Sequence, residues 1–327
     1  MPKRHGNLFS RCFTPDTLMA AYLRARRGKR KTLSVAKFEA NLGANLQALH
    51  DELHEGTYRP LPYRHFMVME PKPRQISAPA FRDVVVQHAI YALICPIFDA
   101  GFIHDSYGCR AGKGTHRASD RAQQFLRQSP DDAVTLQMDV RKFYYSIDRA
   151  ILRTLIERKI KDARFVDLMM TFADHGGAVG VPIGNLLSQL YALIYLDPLD
   201  HFVKRELRVG RYVRYVDDFI LWCTGREQAA GLRHDIEAFL FERLGLTLSR
   251  WTIAPIGRGM NFVGFRTWRK RRFVRKHSLY RFSRSLRAGD TASLNAILGN
   301  ARRTASHAHL CRRVRQERPD LIPHLAL

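Results

Sequence analysis

The sequence predicts an α+β fold in which helices are interleaved with short antiparallel strands. Three observations carry that expectation. The run Val134-Thr135-Leu136-Gln137-Met138-Asp139 alternates apolar and polar residues strictly, as a half-buried strand does. The segment Arg211 to Trp222 holds two β-prone runs on either side of Asp217-Asp218, the pattern of a hairpin with the aspartates at its turn. Elsewhere apolar residues recur at helical spacing, as in Ile151, Leu152, Leu155, Ile156 and Ile160.

Taken in order, residues 1–60 are rich in Arg, Lys, Leu and Ala and read as helical. Val35 to Leu53 has apolar positions at helical spacing, and Gly56 stops it, with Pro60 and Pro62 beyond. In 61–80, the β-prone Phe66, Val68 and Ile76 flank Pro71-Lys72-Pro73-Arg74, which predicts a β-hairpin with a Pro-rich tip. Residues 82–98 form a largely buried helix. The strand ending at Asp139 leads to a helix with Asp148 as its N-cap. Residues 180–203 run from a Gly/Pro loop into a second buried helix. Residues 226–243 are helical and 246–268 are β in character. The remainder, 269–327, is very basic and mostly helical. The chain shows no repeat, low-complexity tract or long linker.

The 327 residues are 46% hydrophobic, ample for two or three domains or one large multi-part fold. Lys and Arg number 54 against 30 Asp and Glu, a formal net charge of +24. Such self-repulsion points to a polyanionic partner, and nucleic acid is the obvious one. Cys12, Cys95, Cys109, Cys223 and Cys311 form no CxxC pair, which argues against a zinc ribbon and for reduced thiols. No basic N-terminal stretch precedes an apolar signal core, and the longest apolar run, Ala89 to Phe98, is short for a bilayer. The expectation is a cytoplasmic protein with no membrane partner. Gly112-Lys113-Gly114-Thr115 lacks phosphate-loop spacing, and His50-Asp51-Glu52-Leu53-His54 lacks the Glu that a zincin needs directly after its first His.

The carboxylates carry the chemistry. Asp139 ends one strand, and Asp217 stands at the tip of a hairpin about 78 residues downstream. If those strands are neighbours, Asp139, Asp217 and Asp218 meet at one end of a sheet, with the Val140 carbonyl beside them. Mg²⁺ prefers carboxylate oxygens, substrate phosphates and water. Two such ions on a rigid scaffold suit the displacement of pyrophosphate by a 3′-hydroxyl, with Mn²⁺ as a possible substitute.

The flanks sharpen that reading. Tyr215-Val216-Asp217-Asp218 resembles the Y-x-D-D motif of reverse transcriptases, and the strand ending in Asp139 resembles the source of that family's other aspartate. The resemblance implies a right-hand polymerase fold. Its parts are an N-terminal helical extension (1–60), fingers (61–131), a palm of antiparallel sheet backed by helices (132–265, with 163–190 returning to the fingers) and a basic helical thumb (266–327). It implies dNTPs as substrates, with Lys72 and Arg74 on the triphosphate and Tyr144 as the ring that excludes a 2′-hydroxyl. Phe143 beside it reads as a core residue. Arg82 is expected to contact template or to brace the fingers. Arg110 and Lys113 line the template path, Gly264 belongs to the primer grip, and Arg269 and Lys270 meet the duplex backbone.

Many reverse transcriptases carry Q-G-x-x-x-S-P where this chain has Ile183-Gly184 and Ser188-Gln189. That form resembles the reverse transcriptases of diversity-generating retroelements, which copy a template-repeat RNA and misincorporate opposite adenine. Ile183, Gly184 and Gln189 would then line the nascent pair. The class implies a structured RNA as template, cDNA or primer as product strand, an oligomeric basic accessory variability protein as partner, and a bacterial or phage-encoded origin. Two other readings remain open at this point. One is a stand-alone retron or phage-defence reverse transcriptase, which copies a different RNA without adenine-biased errors. The other is an RNA-binding scaffold on a polymerase fold, against which the intact carboxylates argue.

Overall fold

The computed structural model describes residues 4–69, 73–174 and 176–327. The chain folds as two compact units. One comprises Met1–Ile103, Arg141–His201 and Ala238–Thr247, and the other His104–Val140, Phe202–Glu237 and Leu248–Leu327.

The first unit is mainly helical. Pro15–Ala25 starts on a Thr14 cap, whose side chain accepts the N–H of Thr17, with Pro15 in the first turn. The stretch expected as one helix across Val35 to Leu53 is two, Leu33–Glu39 and Leu42–Glu55, broken at 40–41. Asn41 interrupts the helical backbone (φ −132°), and Phe38 and Leu46 turn inward from the two separate pieces. Gly56 closes the second helix in the left-handed conformation (φ 77°), where a side chain is disfavoured. Strands β1 (Arg64–Val68) and β2 (Arg74–Ala78) form the expected antiparallel hairpin, with Arg64 opposite Ala78. Of the anticipated Pro-rich tip, Pro71 and Lys72 lie outside the described residues.

Phe81–Asp99 is the central helix of this unit. Val85, Val86, Ile90 and Ile94 are fully buried on it, and Pro15–Ala25 and Leu186–His201 both pack against it. By length and composition this 19-residue helix is long and apolar enough to cross a membrane, more than its uninterrupted apolar run suggests. Half of its apolar window is buried inside the protein, and the buried Asp83 takes hydrogen bonds from Tyr58 Oη (2.6 Å) and Leu61 N (2.9 Å). Asp148 caps Arg149–Glu157 as expected, accepting the N–H groups of Ala150 and Ile151.

The second unit is built on a four-stranded antiparallel sheet. Its strands are β3 (Val134–Val140), β4 (Tyr212–Tyr215), β5 (Asp218–Cys223) and β6 (Leu248–Pro255), in the order β4-β5-β3-β6. Alternation sorts its residues. Leu136, Met138, Phe219 and Leu221 are fully buried on one face. The opposite face is graded along β5. Trp222 and Ile220 lie in a core with Phe125 and Phe262, and Asp218 follows at the end of the sheet. A second antiparallel sheet joins β7 (Met260–Phe262), β8 (Phe265–Thr267) and β9 (Arg272–Val274). Behind it Lys276–Ala288, Thr291–Ala301 and Ser306–Glu317 enclose Phe265, Phe282, Leu298 and Leu310.

Candidate active site

Strands β3 and β5 are neighbours, and their register sets Asp139 directly opposite Asp218. Opposed residues project from the same face, so the two carboxylates share one end of the sheet. The hairpin differs by one residue from the expected Asp-Asp turn. Tyr215 pairs with Asp218, so the two turn residues are Val216 and Asp217, and Asp218 begins β5. Val216 has a φ of 57° and Asp217 a negative one, the pattern of a type II′ turn with the positive φ on its first central residue. The Asp217 carbonyl accepts the N–H of Val140 (3.2 Å), which ties the turn to the end of β3.

Asp218 is pushed up to about 7, chiefly by burial beside the apolar end of its strand. A hydrogen bond from Gln137 opposes that rise, the Asp139 carboxylate adds to it, Arg275 opposes it and Asp217 adds again. Gln137 donates Nε2 to Asp218 Oδ1 (2.8 Å) and to the Asn261 carbonyl (2.9 Å). Ser249 donates to Asp139, and Arg250 Nε stands 3.8 Å from Asp139 Oδ2. Beside the carboxylates opens a cleft of about 360 Å³ whose walls include Arg250, Arg258, Arg266, Arg275 and Asn261. Burial holds Arg275 below the usual arginine range.

Carboxylate and carbonyl oxygens are the donor set that a hard divalent cation takes. The residues present fit such an ion, because Asp218 is held partly protonated by burial among carboxylates that a cation would offset. No group of three or more His, Cys, Asp or Glu side chains converges on one point among the described residues. The fit is therefore that of an ion held by one or two carboxylates and completed by substrate phosphates and water.

The other anticipated residues are distributed as follows. Arg74, exposed at the start of β2, Tyr144, Ile183, Gly184 and Gln189 belong to the first unit. Tyr144 is half-buried and Phe143 fully so, with ring centroids 5.6 Å apart. The Ile183 carbonyl accepts the N–H of Ser77 (2.7 Å). A Cβ on Gly184 (φ 105°) would stand 2.6 Å from Ile76 Cγ2 and 3.3 Å from the Ser77 carbonyl oxygen, so the loop docks on β2 only with glycine there. Lys72 lies outside the described residues. Arg82 braces its surroundings, with its guanidinium on Glu52 and over the Tyr58 ring.

In the second unit, Arg110 donates to the Ser106 carbonyl and Lys113 to the His104 carbonyl. Gly264 has a φ of 92°. Arg269 is tied to Asp131 and the Ser129 carbonyl, while Lys270 is exposed. Gln137, Ser249 and Arg275 were not anticipated. Gln137 was legible in principle, since it lies two residues before Asp139 on the same strand face. Ser249 and Arg275 reach the site through pairings distant in sequence.

Comparison with known proteins gives a consistent result. A family model described as "Reverse transcriptase (RNA-dependent DNA polymerase)" matches residues 69–265. The chain is 26% identical over 312 residues to Protein YkfC of Escherichia coli (strain K12), covering 81% of this chain and 82% of that protein. It is 29% identical over 296 residues to the Group II intron-encoded protein LtrA of Lactococcus lactis subsp. cremoris, covering 67% of this chain and 49% of LtrA. The chain thus spans about half the length of that relative. Telomerase from Candida albicans, solved with a fragment of telomeric RNA, superposes with a TM-score of 0.51 at 11% identity, over 84% of this chain and 58% of that one. This last likeness is one of fold.

Proposed function

Because this chain belongs to the reverse transcriptase family and is an RNA-directed DNA polymerase, we propose that Asp139, Asp217 and Asp218 form its catalytic centre and that it serves a diversity-generating retroelement. The observation that carries the first part is the register of β3 on β5, which sets Asp139 opposite Asp218 with Asp217 in the adjoining turn. Asp139, Asp217 and the Val140 carbonyl would hold two divalent ions, Mg²⁺ or in substitution Mn²⁺, which supply charge neutralisation at the transferring phosphoryl group. Asp218 assists from its buried position. The primer 3′-hydroxyl forms the new P–O bond to the dNTP, and pyrophosphate leaves. Lys72 and Arg74 bind its phosphates, Arg by a bidentate grip and Lys as a point charge. Tyr144 excludes a ribose 2′-hydroxyl.

The fingers, palm and thumb divisions given above remain part of this reading. Arg82, Arg110, Lys113, Gly264, Arg269 and Lys270 are its nucleic-acid contacts. Arg82, Arg110, Lys113 and Arg269 also have partners within the protein, so each would brace its neighbourhood as well as face the nucleic acid.

The retroelement class rests on Ile183-Gly184 and Ser188-Gln189. A β-branched aliphatic at 183 offers the nascent base pair no hydrogen bond, and looser geometric checking opposite adenine follows. The class brings with it a template-repeat RNA and an oligomeric basic accessory protein in a bacterial cytoplasm. Similarity to a group II intron-encoded protein favours a second reading, a stand-alone reverse transcriptase that copies another structured RNA faithfully.

Primer extension on an adenine-containing RNA template, with Mg²⁺, four dNTPs and sequencing of the cDNA, separates these readings. Asp217→Asn is expected to abolish synthesis while RNA binding stays near normal; a variant with normal turnover removes Asp217 from the mechanism. Errors concentrated opposite adenine support the retroelement class, and faithful synthesis favours the second reading.

A further inference from the structure

The outer edge of β4 is covered by the segment Asp105 to Gly108. Arg214 N donates to the Asp105 carbonyl (3.0 Å), Tyr107 N donates to the Arg214 carbonyl (2.9 Å), and Ser106 pairs with Arg214 in a parallel bridge. The segment is itself anchored. The buried Asp105 carboxylate accepts Arg121 Nε (2.8 Å) and Nη2 (3.2 Å) and the Tyr107 hydroxyl (3.3 Å).

At its end, Gly108 lies against the back of the hairpin turn. A Cβ there would overlap Val216 Cγ2 and stand 2.9 Å from the Val216 backbone nitrogen, so no larger residue fits without moving the turn. Val216 is β-branched yet adopts a φ of 57°, a conformation such residues rarely take unless their surroundings impose it. The fully buried Arg214 side chain donates Nη1 to the Val216 carbonyl (3.0 Å).

These contacts fix both peptide planes that flank Asp217. The Val216–Asp217 plane is held through the Val216 carbonyl by Arg214. The Asp217–Asp218 plane is held through the Asp217 carbonyl by Val140 N. With both planes fixed, the backbone of Asp217 has one conformation and its Cα–Cβ bond one direction. We propose that Gly108 and Arg214 are positioning residues that lock the Val216 turn and thereby aim the Asp217 carboxylate. This inference rests on the reading of Asp217 as a metal-binding residue.

The test uses Gly108→Ala and Arg214→Lys, with Asp217→Asn as reference. Mn²⁺ binding is read by its paramagnetic resonance signal on enzyme with a dideoxy-terminated primer, RNA template and dNTP. The Mg²⁺ midpoint of primer extension and the affinity for primer–template are measured beside it. Gly108→Ala and Arg214→Lys should weaken Mn²⁺ binding and raise the Mg²⁺ midpoint on the order of tenfold, the scale of a small misplacement at a reacting centre. Primer–template affinity should change little.

Wild-type Mn²⁺ binding and Mg²⁺ midpoint in both single variants overturn the proposal. If Gly108→Ala no longer binds primer–template, Arg214→Lys decides on the same readouts. Should Asp217→Asn itself keep wild-type Mn²⁺ binding and synthesis, the underlying reading fails; a dead Asp217→Asn beside normal single variants removes the clamp alone.

Discussion

Replacing Asp218 by Asn should stabilise the metal-free protein at neutral and alkaline pH while abolishing DNA synthesis. The Asp218 carboxyl is raised from 3.8 to about 7, first by burial and then by its carboxylate neighbours. An acid whose folded pKa lies above its unfolded value keeps its proton longer in the fold than in the unfolded chain. Stability contributed by the protonated form is complete below about pH 4 and is lost as pH rises through about 7. At about 1.4 kcal/mol per pH unit, the ceiling on that loss is roughly 4 kcal/mol, and partial solvent access reduces it to about 1–3 kcal/mol. Asn keeps an oxygen to accept Gln137 Nε2 and removes the charge.

Thermal melts in EDTA at pH 5 and pH 8.5 are the assay. The Asn variant should melt a few degrees higher at pH 8.5, at about 1.5 °C per kcal/mol for a chain of this length, and by a smaller margin at pH 5. Mg²⁺ should raise the melting point of the parent at pH 8.5 more than that of the variant. An Asn variant that melts at or below the parent at pH 8.5, or a gain independent of pH, refutes the account of Asp218 as a desolvated carboxylate.

Further outcomes follow from residues of the first unit. Tyr144→Val should admit ribonucleotides, read as rNTP incorporation in primer extension with dNTP turnover retained; unchanged exclusion of rNTPs assigns Tyr144 to packing alone. Ile183→Gln should lower errors opposite adenine in sequenced cDNA, and an unaltered error spectrum removes Ile183 from fidelity. Gly184→Ala should destabilise by about 2–4 kcal/mol, from its φ of 105° and its overlap with Ile76, in a denaturant or thermal melt. A stability equal to the parent means that the loop is not docked on β2 as described.

Much of this site was legible because its parts follow local rules. Strict alternation in 134–139 sends Leu136 and Met138 to one face and Asp139 to the other, and β3 does this. The cap at Asp148 and the stop at Gly56 are set by their own side chains and backbone. The two misplacements are of another kind. The break at 40–41 depends on which faces of two short helices find burial, which periodicity alone does not fix. The turn moved from Asp217-Asp218 to Val216-Asp217 against local preference, since Asp tolerates a positive φ better than a β-branched residue. Tertiary contacts from Asp105 to Gly108 and from Arg214 override that preference. Ser249 and Arg275 were not legible for a related reason: only the pairing of β6 on β3 and the chain beyond β9 bring them to the carboxylates.

The positive charge of the chain takes on a sharper meaning once its arginines are sorted by partner. Arg82 is bound to Glu52, Arg121 to Asp105, Arg272 to Asp120 and Arg313 to Glu317, and these pairs hold the fold. Arg250, Arg258, Arg266 and Arg275 instead wall the cleft at the carboxylate end of the sheet. A site with carboxylates alone would repel a nucleic acid, and one with arginines alone would bind it without holding a catalytic cation. Under the proposed mechanism, setting the two signs side by side would divide the task, with arginine charge toward the phosphodiester backbone and carboxylate charge toward the ions at the transferring phosphate. Arg250 forms a long ion pair with Asp139 (3.8 Å), and burial raises Asp218 to about 7 despite Arg275. A fully paired Asp218 would titrate well below its present value. The elevated pKa of Asp218 therefore marks a carboxylate whose burial outweighs the opposing charge of Arg275, a state that the proposed divalent ions would offset.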